Sequence, residues 1–270
     1  MGAEIKEEKK RIYVYPAKNL TGYFLPSYKD PSAAFIAACT ALVSGFNFKL
    51  SNIYPEKIRM EPFNFLMNCG IITTVVKKNG GFIIKSKETV ILSSEPFNIP
   101  EKAIPSVIDE IPFMAYMSVR SGKPFFLSNG DWLKNKESNR VTETIKRIGK
   151  VYETFETEDG FAVIPEEKKR SAFKMPHSDD HRMEMLSTII ALDRNIPFEI
   201  GESVNVSFPL FPEMIRHLKK SCSKNTEKTI RTYRKKIDRI DDRIANSVSY
   251  THLRAHETVL DLVCRLLLEK

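Results

Sequence analysis

Ser44-Gly45-x-x-Phe48-x-Leu50-Ser51-Asn52 recurs as Ser121-Gly122-x-x-Phe125-x-Leu127-Ser128-Asn129, at an offset of 77 residues. The surroundings recur as well. A helix-like segment precedes each copy. Asp30 can cap the first, with Pro31 at its opening position and Gly45 just past its end. The second runs from about Asp109 to Ser121, with Gly122 as its stop. A short strand and a second helix follow each copy, the helices ending near Gly70 and Gly149. A hairpin closes each round: Ile71–Val76 with Phe82–Lys85 around Asn79-Gly80-Gly81, then Val151–Thr157 with Phe161–Ile164 around Asp159-Gly160. A third, weaker round opens at Asp180. It continues through the helix His181–Leu192 and the strand Phe198–Ile200, and ends with the helix Pro209–Leu218. The spacing therefore predicts an α+β fold built from two full copies and one partial copy of a helix–strand–helix–hairpin unit.

Composition narrows the function classes. Hydrophobic residues make up 42% of the 270, enough for a real core, and no apolar run reaches the length of a membrane span. The opening MGAEIKEEKKR lacks the apolar stretch of a signal peptide. Cys39, Cys69, Cys222 and Cys264 show no paired spacing, and Cys39 and Cys69 fall in apolar helical patterns as core thiols. A reducing, cytoplasmic location follows as the expectation. The net charge of +8 is concentrated in one place: residues 219–247 hold ten Lys/Arg against four Asp/Glu, and residues 1–218 hold 29 against 27. The basic excess belongs to the tail, where Tyr233 is the lone aromatic, so no nucleic-acid partner is expected for the body. A basic nucleic-acid-binding module centred on 219–247 stays open as the alternative of a different class.

Three stretches are more polar than packing alone requires. Leu133-Lys-Asn-Lys-Glu-Ser-Asn-Arg140 is expected to open a helix, crowding Lys136, Glu137 and Arg140 into its first turn. Two cations there oppose the macrodipole, and a bound anion would relieve the conflict. A solvated helix start explains the same string without any ligand. Asp179-Asp180-His181-Arg182-Met183 offers Asp180 as a cap and puts Arg182 in another first turn, which a cap plus a surface arginine also explains. No further His, Cys or carboxylate falls at metal-ligand spacing there, and His252 and His256 lie in the tail. Asp109 and Glu110 open an otherwise apolar helix. They serve as caps, or Asp109 accepts a proton from a substrate hydroxyl at a cleft edge.

In the same order, these stretches resemble the enolpyruvyl transferases that act on shikimate 3-phosphate. The matching strings are Lys29-Asp-Pro-Ser-Ala-Ala-Phe35, Ile108-Asp-Glu-Ile-Pro112, Lys136-Glu-Ser-Asn-Arg140, Asp180-His-Arg-Met183 and Ser207-Phe-Pro-x-Phe211. The resemblance implies repeated βαβαββ units packed as one domain of a two-domain fold, with the site between the domains. It implies transfer of the enolpyruvyl group of phosphoenolpyruvate to the 5-hydroxyl of shikimate 3-phosphate, in the pathway to chorismate and the aromatic amino acids. By resemblance, Asp109 positions and deprotonates the hydroxyl. Glu137 and Lys136 handle proton transfer at the enolpyruvyl group, with Lys136 also near the anionic substrates. Arg140 and Arg182 hold the carboxylate and phosphate of phosphoenolpyruvate. No metal or organic cofactor is implied. The sister transferase acting on UDP-N-acetylglucosamine is the nearest enzyme alternative. Departures from the pattern are Val206 for a common lysine, Trp132 and Asn135 before Lys136, Lys29 for a glycine, and one serine, Ser32, where two are usual.

The family is about twice this length. The implied organisation is a remnant hairpin of a missing N-terminal domain over 1–20, a C-terminal transferase domain over 21–220, a basic helix over 221–247, and an unrelated end over 248–270. The missing domain would be needed to complete the site. Within the basic helix, Thr229–Ile244 carries an apolar stripe of Ile230, Tyr233, Ile237, Ile240 and Ile244. It resembles the first helix of the helical chorismate mutases, with Arg234 at that family's substrate-binding arginine; a plain basic amphipathic helix fits equally. Residues 248–270 resemble translated sequencing-library adapter and are expected to contribute nothing to the fold.

Overall fold

The computed structural model describes residues 3–9, 11–16, 29–46, 48–54, 57–69, 72–78, 81–86, 96–168 and 173–220. The segments expected over 221–247 and 248–270 lie outside them, as do the turn residues 79–80 and Gly70. In chain order the elements are β1 (Ile5–Glu8), β2 (Arg11–Val14), α1 (Pro31–Val43), β3 (Lys49–Ile53), α2 (Glu61–Asn68), β4 (Ile72–Lys78), β5 (Gly81–Ser86) and β6 (Phe97–Asn98). They continue with α3 (Ile104–Val107), α4 (Ile111–Arg120), β7 (Phe125–Leu127), α5 (Asp131–Lys134), α6 (Arg140–Ile148), β8 (Tyr152–Thr157), β9 (Gly160–Glu167) and α7 (His181–Asp193). A further helix, α8, covers 211–220.

The repeat is present in the backbone. One sheet runs β3-β5-β4, the other β6-β7-β9-β8, each closed by an antiparallel hairpin after its second helix. Each sheet also has a parallel pairing across its first helix: a bridge from Lys29 to Ile53 in one, β6 to β7 in the other. That is a βαβαββ order, twice. Asn52 and Asn129, the matched ends of the repeated string, both adopt positive φ, at 59° and 57°. Gly45 and Gly122 do so at 72° and 83°. Asn195 stands at the same place after α7, with φ 53°.

These three residues end three helices in one way. The residue after each donates to a carbonyl five positions back: Phe46 to Ala41, Lys123 to Ser118 and Ile196 to Ala191. The left-handed residue itself donates to the carbonyl three positions back in all three cases. This is the Schellman arrangement, which needs φ > 0 where the chain turns off the helix. The third round therefore belongs to the series, although its strand does not form. Residues 196–200 pair with no strand. The Gly201 N–H donates instead to Glu184 Oε1 at 2.6 Å, and Phe198 stacks on His177 at 4.8 Å.

Helices α1, α4 and α7 touch one another and are buried on nearly all sides. α1 and α4 are apolar on nearly every side, as helices at the centre of a core are, whereas α7 also buries Arg182 and Glu184. Cys39 and Cys69 lie in that core as free thiols, and burial pushes the Cys69 thiol up to about 11. A row of rings, Phe65 on α2, Phe97 on β6, Phe125 on β7 and Phe161 on β9, ties α2 to the four-stranded sheet, with successive centroids 4.3, 6.1 and 5.9 Å apart. No described helix is long and apolar enough to cross a membrane. The hairpin β1–β2 is exposed at every position, including Ile5, Ile12 and Val14.

Candidate functional site

Asp30 caps α1 by accepting from Ala33 N at 2.8 Å, and Asp180 caps α7 by accepting from Arg182 N at 2.9 Å, both as the sequence implies. The acids before α4 behave otherwise. Neither Asp109 nor Glu110 caps that helix: Glu110 occupies the cap position in helical geometry with no side-chain bond to the backbone. Both carboxylates turn instead toward arginines. A second difference concerns Lys136 and Glu137. The helix expected to contain them is split, because α5 stops at Lys134 and α6 starts at Arg140 with Asn139 as its cap. Asn139 Oδ1 takes the Thr142 N–H, which fixes the start one turn later than the charge pattern suggests. Lys136 and Glu137 therefore sit in the connecting turn.

They nonetheless meet Arg140 and Arg182 around one carboxylate. Arg140 Nη1 lies 2.7 Å from Asp109 Oδ1, Lys136 Nζ lies 3.5 Å from the same oxygen, and Arg182 Nη2 lies 3.8 Å from Asp109 Oδ2. Arg140 is 1% exposed. Its Nε and Nη2 reach the two oxygens of Asp180 at 2.9 and 3.4 Å, and Nη2 also meets Glu137 Oε2 at 2.5 Å. Ser138 Oγ donates to Asp180 Oδ2 at 2.8 Å. A cation at the first position of a helix opposes the dipole, and burial compounds the cost; three carboxylates offset both.

The electrostatics follow from this crowding. Burial by itself would raise the Asp109 carboxyl, but Arg182, the hydrogen bond from Arg140 and the charge of Lys136 together hold it below its usual range. Burial also opposes ionisation of Asp180, and Arg140 and Ser138 again outweigh it, so Asp180 is lowered too. Glu110 goes the other way. It is 2% exposed, burial dominates, and its carboxyl is raised despite a hydrogen bond from Ser32 and the charges of Arg182 and Arg59. His181 is held below its usual value by burial and by the neighbouring arginines.

Sequence reasoning missed several participants. Arg59, on a 3-10 turn over Lys57–Met60, donates to Ser32 Oγ at 2.6 Å and brings a fourth cation to the helix N-termini. Arg147 is fully buried, donating to Met183 O, Ser187 Oγ and Glu143. A signal existed for it. Arg140, Val141, Thr144, Arg147 and Ile148 fall on one helical stripe, so both arginines share the apolar face of α6. Val206, at the position of a common family lysine, is 79% exposed at the end of a 3-10 turn. The two best-formed concavities have other linings: one of about 320 Å³ between α7 and α8, and one beside His177 and Glu184. Neither is lined by Asp109, Lys136, Arg140 or Arg182.

Comparison with known proteins gives the cluster a setting. The family model described as EPSP synthase (3-phosphoshikimate 1-carboxyvinyltransferase) matches residues 1–215. A 3-phosphoshikimate 1-carboxyvinyltransferase of Campylobacter fetus subsp. fetus is 31% identical over 228 residues, which are 81% of this chain and 52% of that protein. The protein of the same name from Petrotoga mobilis is 26% identical over 233 residues, again 81% of this chain and 52% of the relative. The chain spans about half the length of the curated relatives it matches. Among solved structures, an EPSP synthase from Acinetobacter baumannii aligns with a TM-score of 0.62 at 22% identity, over 80% of this chain and 52% of that one. That likeness establishes the fold.

Proposed function

This chain belongs to the EPSP synthase family, and from that premise we propose that its described body forms one wall of a site for enolpyruvyl transfer. The reaction joins C2 of phosphoenolpyruvate to the 5-oxygen of shikimate 3-phosphate. C3 gains a proton as the hydroxyl loses one. The tetrahedral intermediate then releases phosphate and returns the C3 proton, giving 5-enolpyruvylshikimate 3-phosphate. The observation that carries the reading is the meeting of Lys136, Arg140 and Arg182 at Asp109, in residues separated by up to 73 positions.

Each residue has a role that its surroundings suit. Asp109 is held ionised, so it accepts a hydrogen bond from the 5-hydroxyl throughout the neutral range. A carboxylate with a lowered pKa is a weak base, and full proton transfer to it therefore accompanies C–O bond formation rather than preceding it. Arg182 and Arg140 suit bidentate oxyanions such as the carboxylate and phosphate of phosphoenolpyruvate. The Nη2 of Arg140 is committed to Glu137, whose side chain is half exposed. An incoming carboxylate replaces Glu137 there, which frees Glu137 to exchange a proton at C3 beside Lys136. Substrate binding and release of the proton carrier are then one event. The opposite wall comes from the other half of the family's length, which supplies further cations and excludes water. A cytoplasmic location fits the buried free thiols.

The test is phosphate release from phosphoenolpyruvate and shikimate 3-phosphate, with and without an N-terminal half from a family member. The expected result is no turnover by the chain alone and turnover by the mixture. In the mixture, Glu137→Gln and Asp109→Asn should each lower kcat by roughly 10²- to 10⁴-fold. Full turnover by the lone chain, or a mixture that accepts only UDP-N-acetylglucosamine, would overturn the assignment.

A further inference from the structure

Among the described residues, five buried side-chain polar atoms lack a hydrogen-bond partner, and three of them belong to one neighbouring pair of residues: Glu110 Oε1, Arg182 Nε and Arg182 Nη1. Native interiors rarely leave such groups unpaired, and a concentration of them marks a place with unspent bonding capacity. Glu110 Oε1 and Arg182 Nη1 are 3.9 Å apart. Arg182 is 8% exposed and Glu110 is 2% exposed, so solvent does little to screen the pair. On its other side Arg182 approaches Asp109 at 3.8 Å, but Asp109 is already shared with Arg140 and Lys136. Glu110 has no comparably close cation apart from Arg182 among the described residues; Ser32 gives it a hydrogen bond, and Arg59, Asp109 and the Cys39 thiol act on it from farther away.

We propose that Glu110 is a positioning residue that sets the guanidinium of Arg182 at the edge of the Asp109 cluster and ties it, through Ser32 and Arg59, to the N-terminal end of α1. The three central helices start at this point: Ser32 in the first turn of α1, Glu110 at the cap of α4, Arg182 in the first turn of α7. Glu110 thus couples the three repeats where they must agree. It acts on Arg182 through charge from the Nη1 side, at 3.9 Å, and leaves Nη2, on the Asp109 side, for an oxyanion. The assignment of Arg182 as an oxyanion holder is the reading proposed above, and the inference rests on it only for the identity of the ligand.

The experiment uses the full chain labelled with ¹⁵N-arginine. The Nε–Hε signals of Arg182, Arg140 and Arg147 are identified by their loss in single Arg→Lys variants. In Glu110→Gln, which keeps the size and the Ser32 hydrogen bond but not the charge, Hε of Arg182 should exchange with water about tenfold faster, the change expected when a buried cation loses its charged partner. Hε of Arg140 and Arg147 should be unchanged, which a general loosening of the fold would not allow. Ser32→Ala should move Arg182 in the same direction by a smaller factor, and it decides the matter if Glu110→Gln does not fold. Unchanged Arg182 exchange in the folded variant overturns the inference. Phosphoenolpyruvate added to the wild-type chain tests the other premise separately: it should shift the Arg182 signal, and a failure to do so overturns the ligand assignment while the exchange data still decide the role of Glu110.

Discussion

Helices α4 and α7 carry charged clusters at both ends, and the two ends are built on opposite principles. At their C-terminal ends Tyr116 Oη donates to Asp193 Oδ2 at 2.6 Å, Arg120 Nε pairs with Asp193 Oδ1 at 2.8 Å, and Arg194 pairs with Glu167 at 2.8 Å while lying over the Tyr152 ring. These arginines sit where helix dipoles are negative, so backbone and side chains agree. At the N-terminal ends, Arg182 in the first turn of α7 and Arg140 at the neighbouring start of α6 sit where dipoles are positive, and only carboxylates hold them. One end is a lock whose charges are satisfied locally, with Arg194 Nε as its one unpaired atom among the described residues. The other is a frustrated cluster with spare donors. A dense charge network by itself does not mark a site; cations placed against the backbone field, with donors left over, do.

The largest expected effect tests that contrast directly. Arg140→Met removes a buried cation and leaves Asp180 and Asp109 facing each other without it. Urea denaturation should show a loss of about 3–5 kcal/mol. Arg120→Met, at the partly exposed lock, should cost about 1 kcal/mol or less. Equal losses would break the comparison.

Titration sharpens it next, with effects smaller than outright removal of Arg140. Asp109 and Asp180 have lowered pKa values, so their contribution is present above the ordinary value of 3.8 and is lost as pH falls through the lowered ones. Tyr116 and Tyr152 are raised, chiefly by burial, Tyr152 to about 12. Their contribution is complete below the ordinary value of 10.0 and is lost as pH rises beyond it. The N-terminal end should therefore fail in acid and the C-terminal end in alkali. Asp180→Asn should flatten the acid limb of the stability profile alone, and Tyr116→Phe the alkaline limb alone. Glu110, being raised, works against the two aspartates: its contribution is present below 4.5 and lost as pH rises toward its folded value.

The smallest effects belong to the helix ends themselves. Gly45→Ala meets no atom within 4 Å, so its cost is the positive φ alone, about 1 kcal/mol by thermal or urea unfolding. Gly122→Ala should match it. Asn195→Gly, at the equivalent turn, should change stability by no more than about 0.5 kcal/mol. A clear loss there would mean that the third round ends its helix by a different device.

Much of this was legible before any coordinates. The caps Asp30 and Asp180 and the stops at Gly45 and Gly122 follow from local rules, a side chain bonding its own helix or a helix end needing a left-handed residue, and both hairpins follow from paired strand-like runs close in sequence. The start of α6 lies later than the charge pattern predicts because Asn139 captures the Thr142 backbone donor. The strand expected at Phe198–Ile200 is not formed; the segment is held instead by long-range contacts, Gly201 N–H to Glu184 and Phe198 on His177. Arg59 gave no local sign of joining the cluster, since nothing in its own segment requires an anion.

The sequence by itself determined the repeat, the helix ends and the identity of the charged residues, because each depends on contacts within a few positions. Only the tertiary structure decided which charges face one another. Asp109 and Lys136 come from the second round of the repeat and Arg182 from the third, and a long-range pairing depends on how α1, α4 and α7 pack, not on any local preference. The balance that lowers Asp109 and Asp180 while raising Glu110, three acids in one neighbourhood, is likewise fixed by packing: burial pushes all three up, and whether nearby cations outweigh it is set by a few ångströms that no spacing in the chain encodes.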